Sequence, residues 1–214
     1  MDTVRLLREG QEDMTHGVNL ERNVLQPTLI RSIVWATIGQ VFITIIVLKV
    51  LGRVWWCQAS DAAVWISSPA SEHTSQHLFD PYSFSHVCHG LIFYLFFLLI
   101  RPTLSIALRF SLSVAIECVW EIFENTPLVI NRYREATAAL GYEGDSITNS
   151  VADIAACALG FLIAAKLGWR YAIGLIAAIE LVMLALIRDS LLLNIIMLCY
   201  PVDAIRQWQL SGAI

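Results

Sequence analysis

The chain has 214 residues, of which 57% are hydrophobic and only 15% charged, and its mean hydropathy is +0.64. That departs from globular usage and points to a single integral membrane domain, with too little extramembrane sequence for a second folded unit. The net charge of -4, with no basic run and no stripe of stacking aromatics, excludes nucleic acid as a partner.

Residues 1–30 are polar and mixed in charge, with Arg5, Arg8, Glu9, Glu12, Asp13, Glu21 and Arg22, and lack the apolar core of a secretory signal. This segment is expected to stay attached as a solvated stretch or short surface helix, disordered at its start. Crossing the hydrocarbon takes about 20 apolar residues, which places spans at 31–51, 84–100, 103–125, 147–167 and 170–188 of an all-α polytopic bundle. Pro102 cannot continue a helix interior, so the second and third spans read as an antiparallel hairpin. After Arg188 and Asp189, the run LLLNIIMLCYP is too short to span and reads as re-entrant or interfacial. The membrane domain closes at 209, and 210–214 is a tail. The tryptophans at 35, 55, 56, 65, 120, 169 and 208 mostly suit interface anchors. Arginine and lysine at the span ends favour an N-terminus inside only slightly, which puts loops 52–83 and 126–146 outside.

The third span reads ECVWEIFEN, with Glu117, Glu121 and Glu124 at i, i+4 and i+7 on one face. Each carboxylate near a span centre costs roughly 2.5–3.5 kcal/mol on insertion scales, so these acids must face protein, water or a ligand. The second span begins at the same membrane face with Ser85, His86 and His89, just after His77. The fourth enters there through Asp145, Asn149 and Asp153 at i, i+4 and i+8. At 1.5 Å per residue, Glu117 and Asp153 each lie roughly 12 Å in from that end. Small neighbours such as Ser150, Ala152, Ala155 and Ala156 allow close helix approach. A polar funnel between spans two, three and four follows.

Two chemistries fit it. His77, His86 and His89 with Glu121, Asp145 or Asp153 are ligands for zinc, or for manganese if oxygen donors dominate, with Glu117 and Glu124 as candidate catalytic acids or bases. Such a centre suits a hydrolase or transferase acting on a lipid or lipid-linked substrate, with Arg132, Arg134 and Asn149 as candidate substrate contacts. The same carboxylates also suit a proton-coupled or cation transporter. A third reading is a scaffold whose polar cluster only fixes helix packing. Arg132 and Arg134 are otherwise solvated loop charges, and Glu180, deep in the fifth span, is expected to pair with Arg109. Cysteines 57, 88, 118, 157 and 199 form no CxxC pair; Cys118 and Cys157 read as small apolar residues, while Cys57 stays open.

The strings SQHLFDPYSFSHVCHG, ECVWEIFENTPLVINRYR, GYEGDSITNSVADIAACALGF and IRDSLLLNIIMLCYPVDAIRQWQ together resemble a bacterial family of small multi-pass inner-membrane proteins of unassigned activity. The resemblance covers about residues 31–209. It implies inner-membrane location and a shared polar set: His77, Asp80, His86, His89, Glu117, Glu121, Glu124, Arg132, Arg134, Asp145, Asn149 and Asp153. It implies no reaction.

Overall fold

The structure, a computed structural model, describes residues 26–58, 62–68, 71, 73–137 and 141–211. The reading of the polar N-terminal segment falls almost wholly outside the described residues, as does most of the tail. The described chain is helical, and its one strand-like feature is an isolated bridge between Trp65 and Phe79.

Helix α1 (Pro27–Val50) starts with proline in its first turn, where the missing N–H costs nothing. Helix α2 spans Ser83–Ile100. Helix α3 (Ile106–Glu124) begins three residues later than the sequence suggests, because Ser105 caps it by accepting from the Leu108 N–H. Helix α5 (Ile147–Leu167) is capped in the same way by Ser146, which accepts from Asn149. Gly168 (φ 88°) then makes the turn into α6 (Trp169–Ile187).

Three shorter helices are also found among the described residues: α4 (Pro127–Ala136), α7 (Leu191–Cys199) and α8 (Asp203–Leu210). The sequence reading took 126–146 as loop throughout. Instead Pro127 starts a ten-residue helix whose Val129 and Ile130 are buried while Asn131 and Glu135 are exposed. At nine residues, α7 is about 14 Å long and cannot cross a bilayer.

Among the described residues, four helices, α1, α2, α5 and α6, are long and apolar enough to cross a membrane. Helix α3 has similar length, at 19 residues, but carries Arg109 and three glutamates. It lies between α1 and α5. The centre of the bundle is the contact of α2 with α5, and paired glycines explain its closeness. A Cβ on Gly90 would collide with the carbonyl of Cys157, and one on Gly160 with the carbonyl of Val87. Backbone therefore meets backbone, the small-residue solution to helix packing where water supplies no hydrophobic drive. Leu91, Ala164 and Ala172 form one apolar core among α2, α5 and α6. Val114, Cys118 and Ile154 form a second between α3 and α5, with Val41 of α1 against it. The outer faces of α1 and α6 leave Trp35, Phe42, Leu181 and Leu186 exposed.

The expected pair between Glu180 and Arg109 is not formed. Glu180 instead accepts from the backbone N–H groups of Leu191 (3.0 Å) and Leu192 (3.1 Å) at the start of α7, where unpaired donors and the helix dipole favour an anion. Arg109 turns back to the carbonyls of Leu104 and Pro102 at the start of its own helix.

Candidate functional site

Close packing of α2 and α5, with α3 across them, brings the histidines and acids to one place. His86 Nδ1 lies 2.5 Å from Glu117 Oε1, and His89 Nδ1 lies 3.0 Å from Glu117 Oε2. One carboxylate thus accepts from both imidazoles, which holds the two rings and leaves each Nε2 as the lone-pair nitrogen. The His86 Nε2 faces Asp153 Oδ2 at 3.9 Å. Glu121 Oε1 comes within 3.3 Å of His86 Nδ1, off the hydrogen-bond axis. Both Glu121 oxygens, Asp153 Oδ1 and both amide atoms of Asn149 are buried without a hydrogen-bond partner among the described residues. Native interiors rarely leave such groups unpaired, so water, a proton or a cation is needed to complete them.

A cavity of about 510 Å³ adjoins the cluster, with His86, His89, Glu124, Asp145 and Asp153 in its wall. Glu117, named from the sequence as a catalytic residue, is fully buried and is not part of that wall. It stands behind the imidazoles as their support. Glu124 does reach the cavity, and Tyr133 lines the same wall.

Asp145 is not on the helical stripe that its spacing suggested. Ser146 caps α5, so Asp145 belongs to the approaching loop. Its Oδ2 accepts from Asn125 Nδ2 (2.8 Å), its Oδ1 from the Tyr142 hydroxyl (2.9 Å), and its N–H donates to Asn125 Oδ1 (2.7 Å). Burial raises its carboxyl above the usual range despite the hydrogen bonds from Tyr142 and Asn125. Asn125 also bonds the Glu121 carbonyl, so it ties the end of α3 to the start of α5. Asp80 sits just before α2, accepting from the N–H groups of Ser75 (2.7 Å) and Tyr82 (2.8 Å), and burial raises it too. On the far wall, Tyr82 donates to Asp189 Oδ2 (3.0 Å), and burial pushes Asp189 up to about 6.

Arg132 and Arg134 are not brought to the cluster. Arg132 donates to the Leu198 carbonyl (2.8 Å), fastening α4 to α7, and Arg134 donates to the Tyr142 carbonyl (2.5 Å). A cation in the cavity wall is Arg53, which the sequence reading passed over as a site residue; it donates to the Glu143 carbonyl, and its Nε is buried without a partner among the described residues. Its position just beyond the end of α1, in LGRVWW, was the available signal. Tyr82, Tyr133, Tyr142 and Asn125 were missed as well, since no spacing rule singles out a lone tyrosine or a helix-ending asparagine. His77 belongs elsewhere, in a loop with Cys57 and His73.

Buried His, Glu and Cys groupings here could hold a metal ion. They are His86 with His89 and Glu117, His86 with Glu121 and Glu124, and Cys57 with His73 and His77, the ligand atoms of each lying within 4.8 Å of one another.

Residues 48–211 match the family described as "Protein of unknown function (DUF2585)". The chain belongs to that family. Bacterial relatives agree with the match. A UPF0314 protein of Brucella anthropi is 44% identical over 158 residues, covering 74% of this chain and 80% of its own. One from Sinorhizobium fredii is 43% identical over 175 residues, covering 81% and 88%. Another from Paracoccus denitrificans is 40% identical over 175 residues, covering 82% and 91%. No solved structure matches. The family match agrees with the resemblance carried by the sequence strings.

Proposed function

We propose that this DUF2585 protein is a multi-pass inner-membrane, metal-dependent hydrolase or transferase acting on a lipid or lipid-linked substrate. The single observation that carries the reading is the set of buried carboxylate oxygens on Glu121 and Asp153 that lack a hydrogen-bond partner among the described residues and lie about His86. Glu117, Glu121, Glu124 and Asp153 outnumber the two imidazoles, and that many buried acids are tolerable only when protons or a cation offset them.

His86, through Nε2, and Asp153 would hold a divalent ion, zinc or manganese, with Glu121, His89 and Glu124 beside it. Such an ion polarises a phosphoryl or carbonyl oxygen and lowers the pKa of water. The chain's own groups then have separate tasks. Glu117 orients both imidazoles, and Glu124, with Tyr133 at its side, stands where a proton could pass to or from a group in the cavity. Arg53 and Asn149 offer donors to an anionic headgroup. Exposed apolar faces on α1 and α6 suit lipid contact.

Elemental mass spectrometry of detergent-purified protein tests this, with wild type beside His86→Ala and Glu121→Gln. Stoichiometric metal that falls in both variants, followed by turnover of a lipid phosphate or ester, supports the proposal. Folded wild type that retains no metal at this cluster would sink it. The excess of carboxylates favours one competing reading, proton-coupled or cation transport. In that case Glu121→Gln abolishes flux in proteoliposomes without any loss of metal.

A further inference from the structure

We propose that Cys57, His73 and His77 form a second metal site, for zinc or a similar thiolate-seeking ion, in the loop between α1 and α2. Sγ of Cys57 lies 3.3 Å from His73 Nδ1. Ordinary zinc bond lengths meeting at a tetrahedral angle place sulfur and nitrogen ligands about 3.6 Å apart, so the pair already stands at ligand spacing. His77 completes a triangle whose donor atoms all lie within 4.8 Å of one another.

The tautomer of His77 is the second observation. Its Nδ1 donates to the Ala63 carbonyl at 2.6 Å, which makes Nε2 the lone-pair nitrogen. A backbone carbonyl fixing the far nitrogen is the usual support of a metal-bound imidazole. The Trp56 ring stands edge-on to His77 at 5.3 Å and holds its plane. A thiol and imidazole paired for nucleophilic attack would need only one histidine; a second imidazole with its tautomer set is what a metal uses.

One thiolate with two imidazoles suits zinc better than calcium or magnesium. Three protein ligands leave a fourth position, and Cys57 itself is in the cavity wall. The loop is tied to the bundle beside this site: the Ser75 carbonyl accepts from the Ser146 N–H (2.8 Å), and Gln76 donates to the Gly144 carbonyl (2.6 Å). A metal there would clip the loop over the cavity mouth and hold it against the start of α5. Binding releases the thiol proton of Cys57 to solvent.

The test uses the full chain in detergent, stripped with chelator and then titrated with Co²⁺ alone. The expected result is a thiolate-to-cobalt charge-transfer band in the near ultraviolet. It should be present in wild type and in Glu121→Gln, and lost in Cys57→Ser and His73→Ala. The band reads sulfur ligation, so it separates this site from the carboxylate cluster whatever happens to the latter. No band in folded wild type, or one that persists in Cys57→Ser, overturns the proposal. If Cys57→Ser does not fold, a Cys199→Ser background allows maleimide labelling instead. Zinc should then slow modification of Cys57 by about tenfold or more, since the thiolate is both nucleophile and ligand; an unchanged rate is the negative result.

Discussion

Helices α3 and α6 are each 19 residues long, and each carries an acid that no water-soluble logic explains. Glu180 of α6 is completed by two backbone N–H groups at the start of α7, so its charge stabilises a helix end. Glu121 of α3 is more deeply buried, and neither of its oxygens has a hydrogen-bond partner among the described residues. A buried acid is therefore not a site by virtue of being buried. What marks Glu121 is the missing partner, together with His86 and a cavity close by.

The comparison can be broken or sharpened by experiment. The largest effect is expected from Gly90→Ala, which forces α2 off the Cys157 carbonyl and carries His86 away from Asp153. Overpacking backbone against backbone should cost about 3 kcal/mol, read as a lower thermal midpoint, and should remove metal bound at the carboxylate cluster as well. Retained metal and an unchanged midpoint would mean that the two helices do not set the site. Next, Glu121→Gln should weaken metal at the carboxylate cluster about a hundredfold. The metal-free protein should meanwhile gain about 1 kcal/mol, because an amide is cheaper to bury than an unpaired carboxylate. Glu180→Ala should do the reverse, costing about 2 kcal/mol through the freed α7 donors while metal content stays at the wild-type level. If both variants lose metal, the two acids are not different in kind.

The smallest effect concerns Asp189. Its folded value of about 6 lies above the ordinary 3.8, so the folded state holds the proton more tightly. Stability from this group is complete below about pH 4 and is lost as pH rises through 6. Denaturation of wild type at pH 5 and pH 7, compared with Asp189→Asn, should isolate a wild-type gain of about 1 kcal/mol at pH 5 that the variant lacks. An equal slope in both would assign the pH dependence to other acids.

Hydropathy was enough to find the long helices, since their apolar runs and the break at Pro102 are written locally. It was not enough for α4, whose residues PLVINRYREA bury one narrow face and are otherwise polar. Helical spacing located Glu117, Glu121, His86, His89 and Asp153 in one region, because periodicity within a helix survives folding. It misled for Asp145, since the spacing ran on past a capping serine where the helix had already stopped. His77 sits close to His86 in sequence, but the turn held by Asp80 sends the two to different places. Glu180 was paired with the wrong partner because backbone donors carry no letter in the sequence. Arg53 and Tyr133 entered the cavity wall through tertiary contacts that no local pattern records.

The glycine contact between α2 and α5 constrains how the molecule can move. Where two backbones touch with no side chain between them, there is no rotamer to flip and no cushion to compress. The pair acts as a fixed rail, and the distance from His86 to Asp153 is its gauge. On the proposed reading, a substrate would therefore be admitted by the partners on either side of the rail: by α3, by the loop that carries Cys57, or by α7 swinging on its hold at Glu180. Any opening of the cavity has to come from beside this spine and not from within it.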